Sequence, residues 1–241
     1  MSHVVPVHVL GASVWTPGVA GARPVAELLP ARMRGRASLL TAMLATVVEQ
    51  AARAAQLDPR GMPMIFGSAY GEMATTAALL AQLYAADGRL SPAKFQASVH
   101  NTAAGQLSIA LGNPQFSTSI AAGSDTLAMC LIEAHAWLAR HQGRVLVACG
   151  DEPPCTELAP DRDDLPLAAA LVLSSEPHAG SLAALGLPSL QPSAASAERG
   201  LRSQLPPLVA ADGLVQALQA GCARRVVLSE RYVVDVHQVA P

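Results

Sequence analysis

The stretch FSTSIAAGSDTLAM, from Phe116 to Met129, decides how the chain is read. Its first residues alternate hydroxyl-bearing and β-branched side chains, it breaks on the small residues Ala121, Ala122 and Gly123, and it continues in helix formers. That order predicts a strand, a sharp turn and a helix. Such a turn can present a nucleophile, because the first N–H groups and the positive end of the helix dipole stabilise a thiolate or an oxyanion. Here the turn offers Ser124 and Asp125, and either one can cap the helix by accepting its unpaired N–H groups. For Ser124 to act as a nucleophile a base must lie within hydrogen-bond reach. Of the seven histidines only His100 belongs to the same stretch of chain. The G-x-S-x-G elbow pattern is not met, since Ala122 and Thr126 stand at its glycine positions.

Working outward, the thirty residues between Lys94 and Asp125 contain no Asp, Glu, Lys or Arg, although 14% of the chain is charged. The segment is rich in Ser, Thr, Asn, Gln and Gly, too polar for a membrane and too uncharged for an ordinary solvated face. It is expected in the core or at a protein interface, with QFSTSI as a candidate for pairing across a subunit boundary. On either side, apolar runs that read as strands (from Val4 to Leu10, MPMIFGSA, Arg144 to Gly150, LPLAAALVLSS) alternate with helical patterns. The helices are expected at 38–55, 73–84, 102–111 and 125–140. Buried strands alternating with helices predict a layered α/β fold. Past Glu176 the pattern weakens, leaving one helix at 208–220, one final strand from Arg225 to Val236 and a linker-like stretch from Pro188 to Ala197.

Composition narrows the function classes. The chain has 241 residues, is 51% hydrophobic but 3% aromatic, and carries a formal charge of −2. The charge gives no general attraction for nucleic acid or an anionic membrane. No apolar run approaches the roughly 18 to 20 residues of a membrane span, and the first residues lack the basic start of a signal peptide. Four cysteines without CxxC pairing fit a reducing cytoplasm. Arg32, Arg34 and Arg36 form a basic group that could attract an acidic carrier protein or simply be solvated. The acids Asp151, Glu152, Glu157, Asp161, Asp163 and Asp164 lack ordered ligand spacing and read as a solvated loop, so no metal site is expected.

In this order, FGSAYGE, SPAKFQASVHNTAAGQLSIALG, FSTSIAAGSDTLAMCLIEA and VLVACGDE resemble the N-terminal half of β-ketoacyl synthases, the thiolase-fold condensing enzymes. ARMRGRASLLTAMLATVVEQAARAAQLDP is similar to the early helix of that family, and the match runs from about Val4 to Ser174. The resemblance implies a thiolase-like layered α/β/α fold, N-terminal half only. Residues 1–176 would be the ketosynthase-like domain and 177–241 a short atypical extension packed on it. The nucleophilic cysteine of the family falls at Ser124, to within one residue, and Cys130 lies inside the helix as a small core residue. The family's two catalytic histidines belong to the C-terminal half. His178 in EPHAGS and His237 in DVHQV match no His-Gly motif.

The resemblance therefore implies a non-catalytic member, similar to the chain-length factors and to the ketosynthase-like proteins of aryl polyene pathways. Such a subunit would pair with a full-length β-ketoacyl-ACP synthase and, through it, meet an acyl carrier protein with its acyl chain; no cofactor is expected. By the same resemblance Phe116, Ser117, Thr118, Ser119 and Ile120 would form the dimer interface, and Val99, His100 and Thr102 would line the acyl tunnel. For Val99 core packing is the competing reading, and for His100 and Asn101 a buried polar pair satisfied by backbone groups. Two other functions stay open: a stand-alone acyltransferase or condensing enzyme using Ser124, and a partner-free acyl-binding homodimer.

Overall fold

A computed structural model describes residues 6–18, 23–85, 88–155, 164–191 and 208–239. Its strands are β1 (Val7–Trp15), β2 (Met64–Gly67), β3 (Ser117–Ile120), β4 (Arg144–Asp151), β5 (Leu167–Ser174), β6 (Ala183–Leu185), β7 (Ser189–Leu190), β8 (Arg224–Val227) and β9 (Tyr232–His237). They form one sheet in the order β3-β2-β4-β5-β1-β6-β9-β7, with β8 paired to β9. β2 runs parallel to β3 and β4, and β5 is antiparallel to both β4 and β1. The helices are α1 (Ala31–Arg34), α2 (Leu39–Ala54), α3 (Met73–Leu83), α4 (Pro92–Gln96), α5 (Thr102–Leu111), α6 (Thr126–His141) and α7 (Val209–Gln219).

The period-two alternation of side chains sorts each strand between two layers. Ile65, Val147, Leu171 and Leu173 pack with Leu131 and Leu138 of α6 and Leu214 and Leu218 of α7. Met64, Phe66, Leu146 and Val172 face the other way, onto Met43, Leu44 and Val47 of α2 and Leu107 of α5. The central strands are thus covered on both sides, which is why they read as continuous apolar runs. α2 starts at Ser38, whose Oγ accepts the Thr41 N–H at 3.0 Å. It lies directly on β1 because Gly11 has no side chain: a Cβ there would overlap the Ala51 carbonyl oxygen. On the other face Gly67, at the end of β2, has room for no Cβ either, with the Sγ atoms of Cys130 and Cys149 2.6 and 2.7 Å from where one would sit.

Three expectations are corrected here. The first strand continues through Gly11 to Trp15 with a register shift between Val9 and Gly11, since a bulge lets an extended chain carry a glycine; residues 4 and 5 lie outside the described ones. The final strand is two strands, β8 and β9, joined at a turn where the Leu228 N–H donates to Tyr232 O at 2.8 Å, because the polar run Ser229-Glu230-Arg231 turns the chain. Where a linker was expected from Pro188, Ser189 and Leu190 pair with β9; residues 192–197 of that stretch lie outside the described ones. Beyond residue 176, β6 and β9 extend the same sheet from β1.

Two outcomes follow from this packing. Gly67→Ala is expected to lower stability by about 1–3 kcal/mol in urea unfolding, since two sulfur atoms must give way. His135 on α6 is 5% exposed, and burial lowers its pKa to about 4 against a hydrogen bond with the Gly186 backbone. A base held below its unfolded value of 6.5 favours folding when neutral, so its contribution is present above about pH 6.5 and is lost as the pH falls towards about 4. Glu72, a carboxyl held up at about 7, acts oppositely: it loses stability as the pH rises through its range. The difference between wild type and His135→Leu isolates the histidine. It should shrink by about 3 kcal/mol between pH 7 and pH 4, and a constant difference would contradict the assignment.

Candidate functional site

The elbow after β3 is held by Thr126, the first residue of α6. Its hydroxyl donates to Gly123 O at 2.7 Å, and its Oγ1 accepts the Ala122 N–H at 3.1 Å. Gly123, at φ +56, supplies the left-handed conformation that closes the turn. Neither Ser124 nor Asp125 caps the helix with its side chain, which corrects the capping reading. Asp125 is buried and used elsewhere: its Oδ1 accepts the Ser229 hydroxyl at 2.6 Å, and its Oδ2 lies 2.9 Å from Arg231 Nε. The elbow is thereby tied to the turn between β8 and β9. Ser124 is exposed, and its hydroxyl has no hydrogen-bond partner among the described residues.

Beside the elbow runs the turn that leaves β2. Asp151, the last residue of β4, gathers it: Oδ1 accepts the Ser68 hydroxyl at 2.6 Å and the Tyr70 N–H at 3.0 Å, and Oδ2 accepts the Ala69 N–H at 3.2 Å. The next residue, Glu152, accepts the Ala74 N–H at 2.9 Å. Both are buried, and burial raises both carboxyl pKa values, the hydrogen bonds to the carboxylates pulling the other way. The expectation of a solvated acidic loop fails for these two, because the turn's N–H groups need acceptors below the surface. Glu157, Asp161 and Asp163 lie outside the described residues. His100 closes the same turn: its Nε2–H donates to Ser68 O at 2.9 Å, and its ring lies 3.1 Å from where a Cβ on Gly71 would stand. The one histidine in the same stretch of chain as Ser124 thus has its Nε2 committed to a backbone carbonyl.

Next to this turn is a cavity of about 690 Å³ between α3, α4 and α5. Val99 and Thr102 line it, together with Glu72, Thr75, Gly105 and Ile109; His100 does not. Arg36, of the basic group, also lines it, while Arg34 donates to Leu29 O at 3.1 Å and Arg32 is exposed. Glu72 is 1% exposed; its Oε1 accepts the hydroxyls of Ser38 and Thr41. Burial raises its pKa to about 7, the Ser38 hydrogen bond opposing and the neighbouring Glu152 adding to the rise.

Among the described residues the strand before the elbow forms the edge of the sheet, bonded to β2 on one side only. Phe116 is 43% exposed, Ser117 is exposed, and Thr118, Ser119 and Ile120 are half-buried. The same uncharged segment exposes Phe95, Val99 and Ile109, and α3 adds Leu80, Leu83 and Tyr84. Sequence reasoning missed Ser68, Glu72 and the inward role of Asp151 and Glu152. The available signal was an acid pair placed directly after the fully apolar run VLVACG, where a strand ends inside the protein. Among the described residues no helix is long and apolar enough to cross a membrane, and no group of three His, Cys, Asp or Glu side chains could hold a metal ion.

Residues 15–225 match the family model described as beta-ketoacyl synthase, N-terminal domain. No curated protein matches the chain. Among solved structures it is similar to a chain of the ketosynthase ApeO in complex with its chain length factor ApeC from Xenorhabdus doucetiae. The TM-score is 0.73 at 19% identity, covering 96% of this chain and 99% of that one. It is also similar to a chain of the ishigamide ketosynthase/chain length factor, with a TM-score of 0.69 at 14% identity, over 98% of this chain and 100% of that one. A third likeness is to a chain of AntDE:AntF, a type II polyketide synthase acyl-carrier protein in complex with its ketosynthase. There the TM-score is 0.73 at 14% identity, over 98% of this chain and 99% of that one. At these identities the likeness establishes the fold.

Two substitutions separate the roles of adjacent elbow residues. Ser124→Ala is expected to stay within about 0.5 kcal/mol of wild type in urea unfolding. Asp125→Ala leaves the Ser229 hydroxyl and Arg231 without their acceptor and should cost about 1–3 kcal/mol. Equal losses would contradict the anchoring role of Asp125.

Proposed function

Because the chain belongs to the β-ketoacyl synthase N-terminal domain family, we propose that it is a non-catalytic ketosynthase-like subunit, a chain-length factor. It would pair with a full-length β-ketoacyl-ACP synthase and shape that partner's acyl tunnel. The observation that carries this reading is the edge strand β3, one side of which pairs with no described residue, within a segment free of charges that exposes Phe95, Val99, Ile109 and Phe116. An unpaired, uncharged edge beside exposed apolar side chains is a surface that pairing with a second subunit satisfies. Phe116 to Ile120 is the interface strand in this proposal, and Val99 and Thr102 line the shared tunnel. His100 acts from behind, by fixing the Ser68–Gly71 turn.

The missing chemistry supports the same conclusion. Condensation needs a nucleophilic thiolate and groups that polarise a thioester carbonyl. Ser124 occupies the nucleophile-equivalent position without a base, and the thiol of Cys130, in the core, donates to Phe66 O at 3.7 Å. The similar structures whose titles name a ketosynthase with a chain length factor, or a ketosynthase with an acyl-carrier protein, support the choice of partners. All four cysteines are free, which suits a reducing compartment, and we place the heterodimer in the cytoplasm.

Isolation from native extract at physiological salt, with mass spectrometry of what remains bound, tests the partnership. A stoichiometric full-length ketosynthase is expected; a partner-free homo-oligomer would overturn the proposal and make Ser124 the first residue to assay for acyl transfer. Within the heterodimer, Val99→Phe should shift products to shorter chains and Val99→Ala to longer ones. Product distributions unchanged in both variants would remove Val99 from the tunnel.

A further inference from the structure

A second cavity, of about 570 Å³, opens at the end of the sheet opposite the elbow, where β2 and β4 begin and β5 ends. Its wall carries two opposite charges: Arg144, the first residue of β4, and Glu176, just after β5. They do not pair with each other, and among the described residues neither forms an ion pair with any other group. Arg144 is half-buried, and its Nη2 donates to Nε2 of His178 at 3.3 Å. Because arginine can only donate, that nitrogen accepts and the imidazole is neutral, so the guanidinium keeps its charge and further donors for an anion. Trp137 of α6 lines the same space, half-buried and stacked on His141 with 5.0 Å between ring centroids. Gln142, also on the wall, stands at φ +57 and ψ −176, a conformation populated almost only by glycine. A glutamine kept there at the rim of a cavity points to a use for its side chain, whose amide can donate or accept.

A lone anion in this cavity would be drawn to Arg144 and repelled by Glu176, and a lone cation the reverse. A molecule that carries both charges satisfies the two side chains together. We propose that the cavity binds a free amino acid with an apolar or aromatic side chain: Arg144 takes the carboxylate, Glu176 the ammonium group and Trp137 the side chain. His178 orients the guanidinium from one side, and the Gln142 amide adds a hydrogen bond to either charged group. Discrimination comes from the pair of charges, since an analogue that lacks one of them leaves Arg144 or Glu176 without its counter-charge and meets the other as a like charge. The site does not depend on the subunit reading, which uses none of these residues.

Calorimetry on the purified protein, with any partner it retains, compares phenylalanine with two analogues that carry the same ring and a single charge. These are 3-phenylpropionate, without the ammonium group, and phenethylamine, without the carboxylate. Phenylalanine should bind about tenfold more tightly than either, and glycine, with both charges and no ring, should bind more weakly than phenylalanine. Glu176→Gln should bring phenylalanine down to the affinity of 3-phenylpropionate without weakening that analogue. Arg144→Gln should bring it down to the affinity of phenethylamine. Circular dichroism checks that each variant folds; Glu176 is exposed, so its variant carries the test alone should Arg144→Gln unfold. No binding of phenylalanine up to about 10 mM would overturn the proposal. So would 3-phenylpropionate binding as tightly as phenylalanine, which would leave an anion site at Arg144 alone, or phenethylamine binding as tightly, which would leave a cation site at Glu176. Glycine matching phenylalanine would remove Trp137 from the site and the apolar class of ligand with it.

Discussion

At Gly67 the sheet and α6 meet so closely that two sulfur atoms and a methyl group occupy the space of a side chain: Cys130, Cys149 and Thr126 all lie within 3.0 Å of the absent Cβ. That contact sets the height of α6 over the end of β2. Since α6 begins at Thr126, it also sets where the elbow stands and how closely it runs beside the Ser68–Gly71 turn. The cysteines are consumed by this packing. The Cys130 thiol donates to Phe66 O, and the Cys149 thiol is pushed far up by its hydrogen bond with Cys130 and by burial, so Cys149 is not a ready thiolate. Both cysteines beside the elbow are thus packing residues.

The second constraint is electrostatic. Glu72, Asp151 and Glu152 are buried close enough to influence one another, and their pKa values are all raised, chiefly by burial. Asp151 offsets its burial by accepting three hydrogen bonds from the turn after β2, and Glu152 accepts one from the start of α3. These acids do the work of scaffolding, holding a turn that lacks regular structure. Glu72 is committed to the hydroxyls of Ser38 and Thr41 at the start of α2.

Most of the layered fold could be read from the chain because its signals are local. The helices from Leu39, Thr102 and Thr126 and the strands at Met64 and Arg144 were expected to within a few residues, since buried strands and amphipathic helices show their period directly. Two- and three-residue strands such as β6 and β7 carry too little pattern to be seen, and their pairing is decided by β9 and β1 far along the chain. At the candidate site, Ser124, Val99 and Thr102 can be singled out by position in the sequence, but what Asp125 and Asp151 do is not legible there. An acid next to a turn looks the same whether it caps its own helix or reaches a distant strand. The same ambiguity hid His100, whose partner at Ser68 is 32 residues away.

The bond from Ser229 to Asp125 spans 104 residues, and with Arg231 it fixes the elbow from near the far end of the chain. In chain order the elbow helix, the edge strand and β1 to β5 all precede the hairpin that anchors the elbow. Long-range contacts of this kind form late and slow the completion of a fold. The elbow therefore gains its full anchoring only once the chain has been made through Arg231.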